Sequence, residues 1–237
     1  MKLKIKHGGH TIPFTVQFRQ RQTVEIQVIP PGVVNVLAPY GLGEKTLSRL
    51  VQKKGDWILN KLAAIQELES RKIVHHFVTG EAFLLLGQRY LLQVIHSPDL
   101  KKPIVSLEDK RLILTAPVQE KEALRQALEN WYRQKGLEVI TERIQFYSRY
   151  FDVQPTSIKV KEQKKRWGTC TSERRLLFNW RLVMAPLEVV DYVVVHEMCH
   201  LVHMNHSKAF WNLVATILPD YRQRKQWLKE NGALLDF

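Results

Sequence analysis

The strongest constraint on this chain is the pentapeptide His196–His200, which reads H-E-M-C-H. It follows the apolar segment Tyr192–Val195, and the surrounding apolar pattern predicts a helix from Leu187 to about His203, opened by Pro186. Residues four apart on a helix lie on the same face, so both imidazoles can reach one metal ion. The pattern therefore predicts a zinc site on a buried helix.

Glu197 lies between the two histidines and is rotated by roughly 100° around the helix from His196. Its carboxylate would then lie beside the open coordination position of the metal, where it can take a proton from water. This arrangement predicts a hydrolase with Glu197 as its general base. The alternative is a pair of hydrogen-bonded histidines on a buried helix that holds no metal.

A catalytic zinc ion usually has three protein ligands, so a third residue must join the two histidines. His203 lies about 10 Å from His196 along a continuous helix, which is too far to share an ion. His206 follows Asn205, a residue that tolerates the left-handed conformation at helix ends, so the chain can reverse there and return His206 to the metal. We expect His206 to be the third ligand. The alternatives are two acidic residues of the following segment, Asp220 and Glu230.

The N-terminal part of the chain is rich in strand patterns. Apolar and polar residues alternate from Thr11 to Leu37 and are grouped again from Phe83 to Leu114, which predicts two sets of short strands, the first antiparallel. Between them, one apolar face from Leu47 to Ile65 predicts a helix. No internal repeat is evident. These segments predict a small mixed α/β module, residues 1–117.

A different pattern begins near Pro117, where a long helical period continues to Ile144. A further helix is predicted from Lys208 to Leu218, with Ser207 as its N-cap. Short strands are predicted at three places before the motif helix: residues 158–160, 167–171 and 176–178. The chain is therefore expected to have an α+β fold whose catalytic domain is residues 118–237, with helices packed on a small sheet.

The composition limits the possible partners and location. The net charge is +13 with a pI near 9.8, and such a field attracts nucleic acid, nucleotides or acidic surfaces. The basic residues are spread along the chain, so a surface that only serves solubility is an open alternative. Cys170 and Cys199 are too few for a disulfide framework, and the first ten residues contain no apolar stretch suited to a signal peptide or membrane span. We expect a cytoplasmic protein with no membrane association.

Several short motifs accompany the pentapeptide in a fixed order. They are Arg166–Cys170, Asn179–Leu182, Ala185-Pro186, Tyr192–Val195, Asn205–Ser207 and Phe210-Trp211, with Leu86–Tyr90 in the N-terminal half. In these motifs the chain resembles the YgjP-like metallopeptidase domain family, a group of predicted metal-dependent hydrolases. The resemblance implies a zincin-like core in which H-E-x-x-H-x5-H supplies the zinc ligands. Position 199 departs from the family, which more often has a small residue there than cysteine.

Three functions fit these features. The first is a zinc metallopeptidase that acts on peptides or protein segments. The second is a metal-dependent nucleotide pyrophosphatase, because proteins that resemble this chain are also labelled as hydrolysing UTP and a basic surface suits a triphosphate. Against it, phosphate substrates often bring Mg²⁺, which prefers oxygen ligands to imidazole. The third is a nucleic-acid-associated protease or binding module, distantly resembling enzymes that remove proteins cross-linked to DNA, and only the charge supports it.

Two polar residues near the motif are candidate substrate-binding residues, Asn179 and Arg181. An amide or guanidinium close to the metal could stabilise an oxyanion or hold a phosphate. The alternative is a role in packing, which is favoured for the neighbouring Trp167 and Trp180. The edge of a strand before the motif helix, at residues 167–171 or 176–178, could pair with an extended peptide.

Overall fold

The computed structural model describes residues 1–237 and has an α+β fold, which confirms the predicted class. No helix combines the length and apolar character needed to cross a membrane. The strands are β1 (Lys2–His7), β2 (His10–Arg19), β3 (Glu25–Ile29), β4 (Val33–Pro39), β5 (Ala82–Leu85), β6 (Gln88–His96), β7 (Ile104–Glu108), β8 (Arg111–Ala116), β9 (Ser157–Lys161), β10 (Gly168–Cys170) and β11 (Arg175–Asn179). The α-helices are α1 (Glu44–Gln52), α2 (Gly55–Arg71), α3 (Lys121–Tyr147), α4 (Leu187–Cys199), α5 (Lys208–Ile217) and α6 (Tyr221–Asn231).

The first compact unit, Met1–Lys72, contains one sheet of order β1-β2-β4-β3 with α1 and α2. The prediction that all its strands are antiparallel was wrong, because β2 and β4 in the middle of the sheet run parallel. The single predicted helix is divided in two at Lys53 and Lys54. At the start of α2, a Cβ on Gly55 would overlap the ring of His7, so this close approach requires glycine.

The second compact unit, Ile73–Phe237, opens with a sheet of order β5-β6-β8-β7 that repeats the topology of the first. In both sheets the central pair is parallel, the outer pairs are antiparallel and a helix follows. Buried residues correspond at constant spacing: Val34, Val36 and Ala38 in β4 match Leu112, Leu114 and Ala116 in β8. The two sheets therefore repeat each other in topology and in burial, although the sequence itself shows no evident repeat.

The second sheet belongs with the C-terminal part of the chain. Its residues Leu112 and Leu114 share a buried cluster with Leu124 and Leu128 of α3. The division between the compact units accordingly falls after Lys72, whereas the change of sequence pattern had placed a boundary near Pro117. The physical reason is that the apolar face of this sheet is covered by α3, which follows it directly.

Helix α4 is the centre of the second unit. Most of its residues are buried and apolar. The predicted small sheet has the order β10-β11-β9, and its edge strand β10 contacts α4. The one buried aspartate of α4, Asp191, accepts hydrogen bonds from Arg143 Nε at 2.6 Å and from the Tyr147 hydroxyl at 3.0 Å. This ion pair fixes α4 to α3 and so holds the helix that carries the H-E-x-x-H pentapeptide.

Replacing Asp191 with Ala is expected to lower the free energy of unfolding by about 3 kcal/mol, because Arg143 would keep a mostly buried, unpaired charge. Urea denaturation measures the change. The matched control is Glu173→Ala, which breaks the exposed Arg175–Glu173 pair and should cost less than about 1 kcal/mol. Equal losses in the two variants would show that the Asp191 pair does not anchor α4.

Candidate metal centre

The helix that carries the pentapeptide ends earlier than its sequence pattern predicts. Helix α4 stops at Cys199, and His200 is its C-cap. The chain then turns through residues 200–204, where the N–H groups of Leu201 and His203 bond back to carbonyls of α4. Asn205 does not adopt the left-handed conformation that was expected to reverse the chain. The reversal is made by this turn instead, and His206 follows it.

Helix α5 begins as predicted after the turn. The Ser207 side chain accepts a hydrogen bond from Phe210 N at 3.3 Å, which confirms Ser207 as the N-cap. The ring of Phe210 is buried and lies 4.5 to 5.0 Å, between ring centroids, from those of three histidines. The N-cap of α5 directly follows His206, and Phe210 in the first turn of this helix packs against all three histidine rings.

The turn brings His206 to the two histidines of the pentapeptide. Ligand atoms of His196, His200 and His206 all lie within 4.8 Å of one another. The Nε2 atoms of His206 and His196 are 3.1 Å apart. The two acidic alternatives have other partners, because Asp220 pairs with Arg224 and Glu230 bonds to Gln226. Three imidazoles therefore converge here without a carboxylate ligand.

The protonation of the histidines suits a metal ion. Burial, followed by the neighbouring His200 and His206, lowers the pKa of His196 to about 3, so its ring is neutral at neutral pH. Its Nδ1 is buried without a hydrogen-bond partner. His200 Nδ1 lies 3.0 Å from the His203 carbonyl oxygen, and an N–H there leaves Nε2 as the unprotonated ligand atom. Two imidazole nitrogens at 3.1 Å must share a proton or face a cation. The donor set therefore fits zinc.

Glu197 lies in the same cleft as the three histidines and is only 5% exposed. Burial raises the pKa of its carboxyl to about 7, although a hydrogen bond from the Cys170 backbone N–H and the charge of Arg166 act against this shift. A carboxylate with a pKa near neutrality is suited to accept and return protons. The Cys170 contact also joins the carboxylate to the edge strand β10.

Gly168 in β10 makes room for the Glu197 side chain. A Cβ at residue 168 would lie 2.5 Å from Glu197 Cγ and 2.6 Å from Glu197 Oε1, and the carboxylate would have to move. Sequence reasoning did not assign a role to this glycine. The signal was the motif Arg166–Cys170, but the contact with Glu197 depends on the packing of β10 against α4.

Gly168→Ala is expected to lower hydrolytic activity by about 100-fold, since a misplacement of about 1 Å can have this effect. Zinc content should not change, because the three atoms nearest to the added Cβ all belong to Glu197 and none to a histidine. Activity and bound zinc are measured on the same preparation. Gly43→Ala is the matched control, because a Cβ at residue 43 meets open space. Full activity of Gly168→Ala would show that the position of Glu197 does not depend on this glycine.

A cleft of about 530 Å³ lies over the histidines and Glu197. One wall is β10, which forms the edge of its sheet and pairs only with β11. Another wall includes Tyr192, whose ring lies edge-on to His196 with 5.8 Å between ring centroids. Burial, then the nearby Glu197 charge, raises the pKa of Tyr192 to about 12, so its hydroxyl stays protonated. The edge of β10 that does not pair with β11 thus lies along the cleft, with its Cys170 N–H bonded to Glu197.

Asn179 and Arg181, the two candidate substrate residues, line a neighbouring pocket and not this cleft. Asn179 Nδ2 donates to the Gln163 carbonyl at 2.8 Å, so this amide holds the segment before β10. Arg181 pairs with Glu162 and Asp236. These contacts engage both side chains within the protein.

The two tryptophans near the motif, Trp167 and Trp180, differ in burial, and so do the two cysteines. Trp180 is fully buried, and its Nε1 donates to Glu162, whereas Trp167 borders both pockets. Cys199 is buried, and Cys170 lines the cleft with its pKa raised to about 11, chiefly by burial. Neither thiol belongs to the histidine cluster.

Comparison with known protein families gives a match over most of the chain. The family described as YgjP-like, metallopeptidase domain matches residues 22–231. Among solved structures, the crystal structure of the metallopeptidase zymogen of Pyrococcus abyssi abylysin is similar with a TM-score of 0.35 and 14% sequence identity, over 38% of this chain and 93% of that chain. No curated protein matches significantly.

Proposed function

The chain belongs to the YgjP-like metallopeptidase family, and on this basis we propose that it is a zinc-dependent peptidase with Glu197 as its general base. Family membership supports a metal-dependent hydrolase. The further assignment of zinc, of its ligands His196, His200 and His206, and of Glu197 is supported by the geometry of the cleft. The observation that carries it is the convergence of three imidazoles next to one buried carboxylate.

Each residue has a separate task in this proposal. His196, His200 and His206 hold the ion, which when bound acts as a Lewis acid toward water and the substrate carbonyl. Glu197 accepts a proton from the attacking water and passes it to the departing amine nitrogen. The Cys170 N–H and the glycine at 168 keep its carboxylate in place for both transfers. Tyr192 packs against His196 and orients its ring.

The edge of β10, which pairs with no further strand, supports a peptide as the substrate. An extended peptide can add to an exposed strand edge through its main-chain groups, which gives affinity without a fixed sequence. Strand β10 borders the cleft directly beside Glu197. A peptide on this edge would bring its backbone carbonyls close to the proposed catalytic carboxylate. The cytoplasm is the proposed location, where free thiols such as Cys170 and Cys199 persist.

The test compares casein with UTP as substrates of the zinc-loaded protein. We expect hydrolysis of casein and none of UTP, loss of activity after chelation, and its recovery with zinc. Hydrolysis of UTP alone, stimulated by Mg²⁺, would replace the peptidase with a nucleotide pyrophosphatase. Activity that survives complete removal of metal would contradict both.

A further inference from the structure

A groove of about 810 Å³ lies between α5 and α6, and none of its lining residues is acidic. Four cationic side chains line it: Lys208 of α5, and Arg222, Lys225 and Lys229 of α6. The three on α6 are spaced to share one helix face. Trp211 and Tyr221 are also among the lining residues, and their rings are stacked with 5.4 Å between centroids. We call this surface the basic groove.

The cations of the basic groove have no carboxylate partner in the structure, and all four are exposed. The acidic residues of the same segment, Asp220 and Glu230, form no ion pair with these four cations. Asp220 Oδ2 accepts from Arg224 Nε at 2.9 Å, and Glu230 Oε1 accepts from Gln226 at 2.6 Å. The groove therefore presents four cationic side chains without an ion-pair partner, which favours an anionic occupant.

The basic groove shares a wall with the metal cleft. The ring of Trp211, which lines the groove, is stacked on His206 with 5.6 Å between centroids and an angle of 22°. His206 in turn lines the cleft. Lys225 Nζ lies 4.5 Å from the centre of the Trp211 ring. One polypeptide can therefore occupy the cleft with its scissile bond and continue into the groove.

We propose that the basic groove binds an acidic segment of the peptide substrate, an inference that rests on the proposed peptidase function. It makes Lys208, Arg222, Lys225 and Lys229 specificity-determining residues that select substrates with several Asp or Glu residues next to the cleaved bond. Single-stranded nucleic acid is the competing anion, but its binding relies on free aromatic faces for base stacking. Here the Trp211 ring already contacts His206, Tyr221 and Lys225. Carboxylates need only the exposed charges.

Fluorescence anisotropy tests the inference with three labelled probes of equal length: oligoglutamate, oligoglutamine and oligothymidylate. The zinc-loaded Glu197→Gln protein is used so that peptides are bound and not cut. We expect it to prefer oligoglutamate, with affinity that falls as salt is added. Adding Arg222→Glu and Lys225→Glu should weaken oligoglutamate binding by about tenfold or more. The matched control adds Lys101→Glu and Lys102→Glu, an equal change of charge on exposed residues outside the groove, and should bind normally.

Two binding results would overturn the inference: equal weakening by the groove and control variants, or tighter binding of oligothymidylate that the groove variant alone abolishes. A cleavage assay with wild-type protein separates this inference from the proposed function. The ratio of kcat/KM for a peptide with an acidic extension to that for its neutral counterpart should fall in the groove variant. Equal cleavage of both peptides by wild type would reject only the acidic preference. No cleavage of any peptide would reject the peptidase itself.

Discussion

Glu197→Gln is expected to lower kcat/KM for peptide hydrolysis by about 10²- to 10⁴-fold, the range that a positioned acid or base contributes. Glutamine has nearly the same shape as glutamate, so it fits the space that Gly168 leaves. It cannot accept the proton from water, however. Zinc content and the unfolding midpoint in urea should stay at wild-type levels, which would separate the chemical role of Glu197 from any role in folding.

The matched control for this substitution is Glu188→Gln on the same helix. Glu188 is exposed, lies in the first turn of α4 and does not line the cleft. We expect full activity from this variant. If Glu197→Gln retained more than about a tenth of wild-type activity, the carboxylate would be too dispensable to be the general base.

His206→Ala should have the largest effect on metal binding. Loss of an outer partner of a metal ligand already costs 10- to 100-fold in affinity, so loss of a ligand should cost more than about 100-fold. Because His206 is exposed and lies outside the helices, its removal should leave the fold intact. Competition with a chromophoric chelator measures the zinc affinity, and hydrolysis should disappear with the metal.

His203→Ala serves as the control for His206→Ala, since it removes another imidazole of the same turn. The contact of residue 203 with His200 is made by its backbone carbonyl, which alanine retains. Zinc affinity and activity should therefore be close to wild type. Equal losses in the two variants would mean that the turn as a whole, and not the His206 ring, is needed.

The features that could be predicted from the sequence are local. The distance between His196 and His200 follows from one helical turn, and the N-cap at Ser207 follows from its side chain. The return of His206 was also expected, but for a reason that the structure does not support. Asn205 is not left-handed, and hydrogen bonds from residues after α4 to its last carbonyls make the reversal.

The features that could not be predicted depend on residues far apart in the chain. Alternating apolar residues in β2 and β4 do not reveal whether the two strands run parallel, because both pairings bury the same face. The repeat of this sheet in β5–β8 is similarly hidden, since Val34 and Leu112 are equivalent only in burial. The role of Gly168 requires knowing that β10 packs against Glu197. The basic groove could not be recognised from the sequence either, because its cationic side chains come from two helices, α5 and α6, whose relative positions the sequence does not give.

X-ray absorption at the zinc edge is the most direct test of the proposed metal centre. For protein loaded with one zinc per chain, we expect only nitrogen or oxygen neighbours at about 2.0–2.1 Å, with the outer-shell pattern of three imidazoles. At protein and zinc concentrations high enough to keep the ion bound to the weakened His206→Ala site, the same measurement should show the pattern of two. Sulfur neighbours at about 2.3 Å would place the ion on Cys170 or Cys199 and contradict the account, as would zinc that fails to bind in a one-to-one ratio.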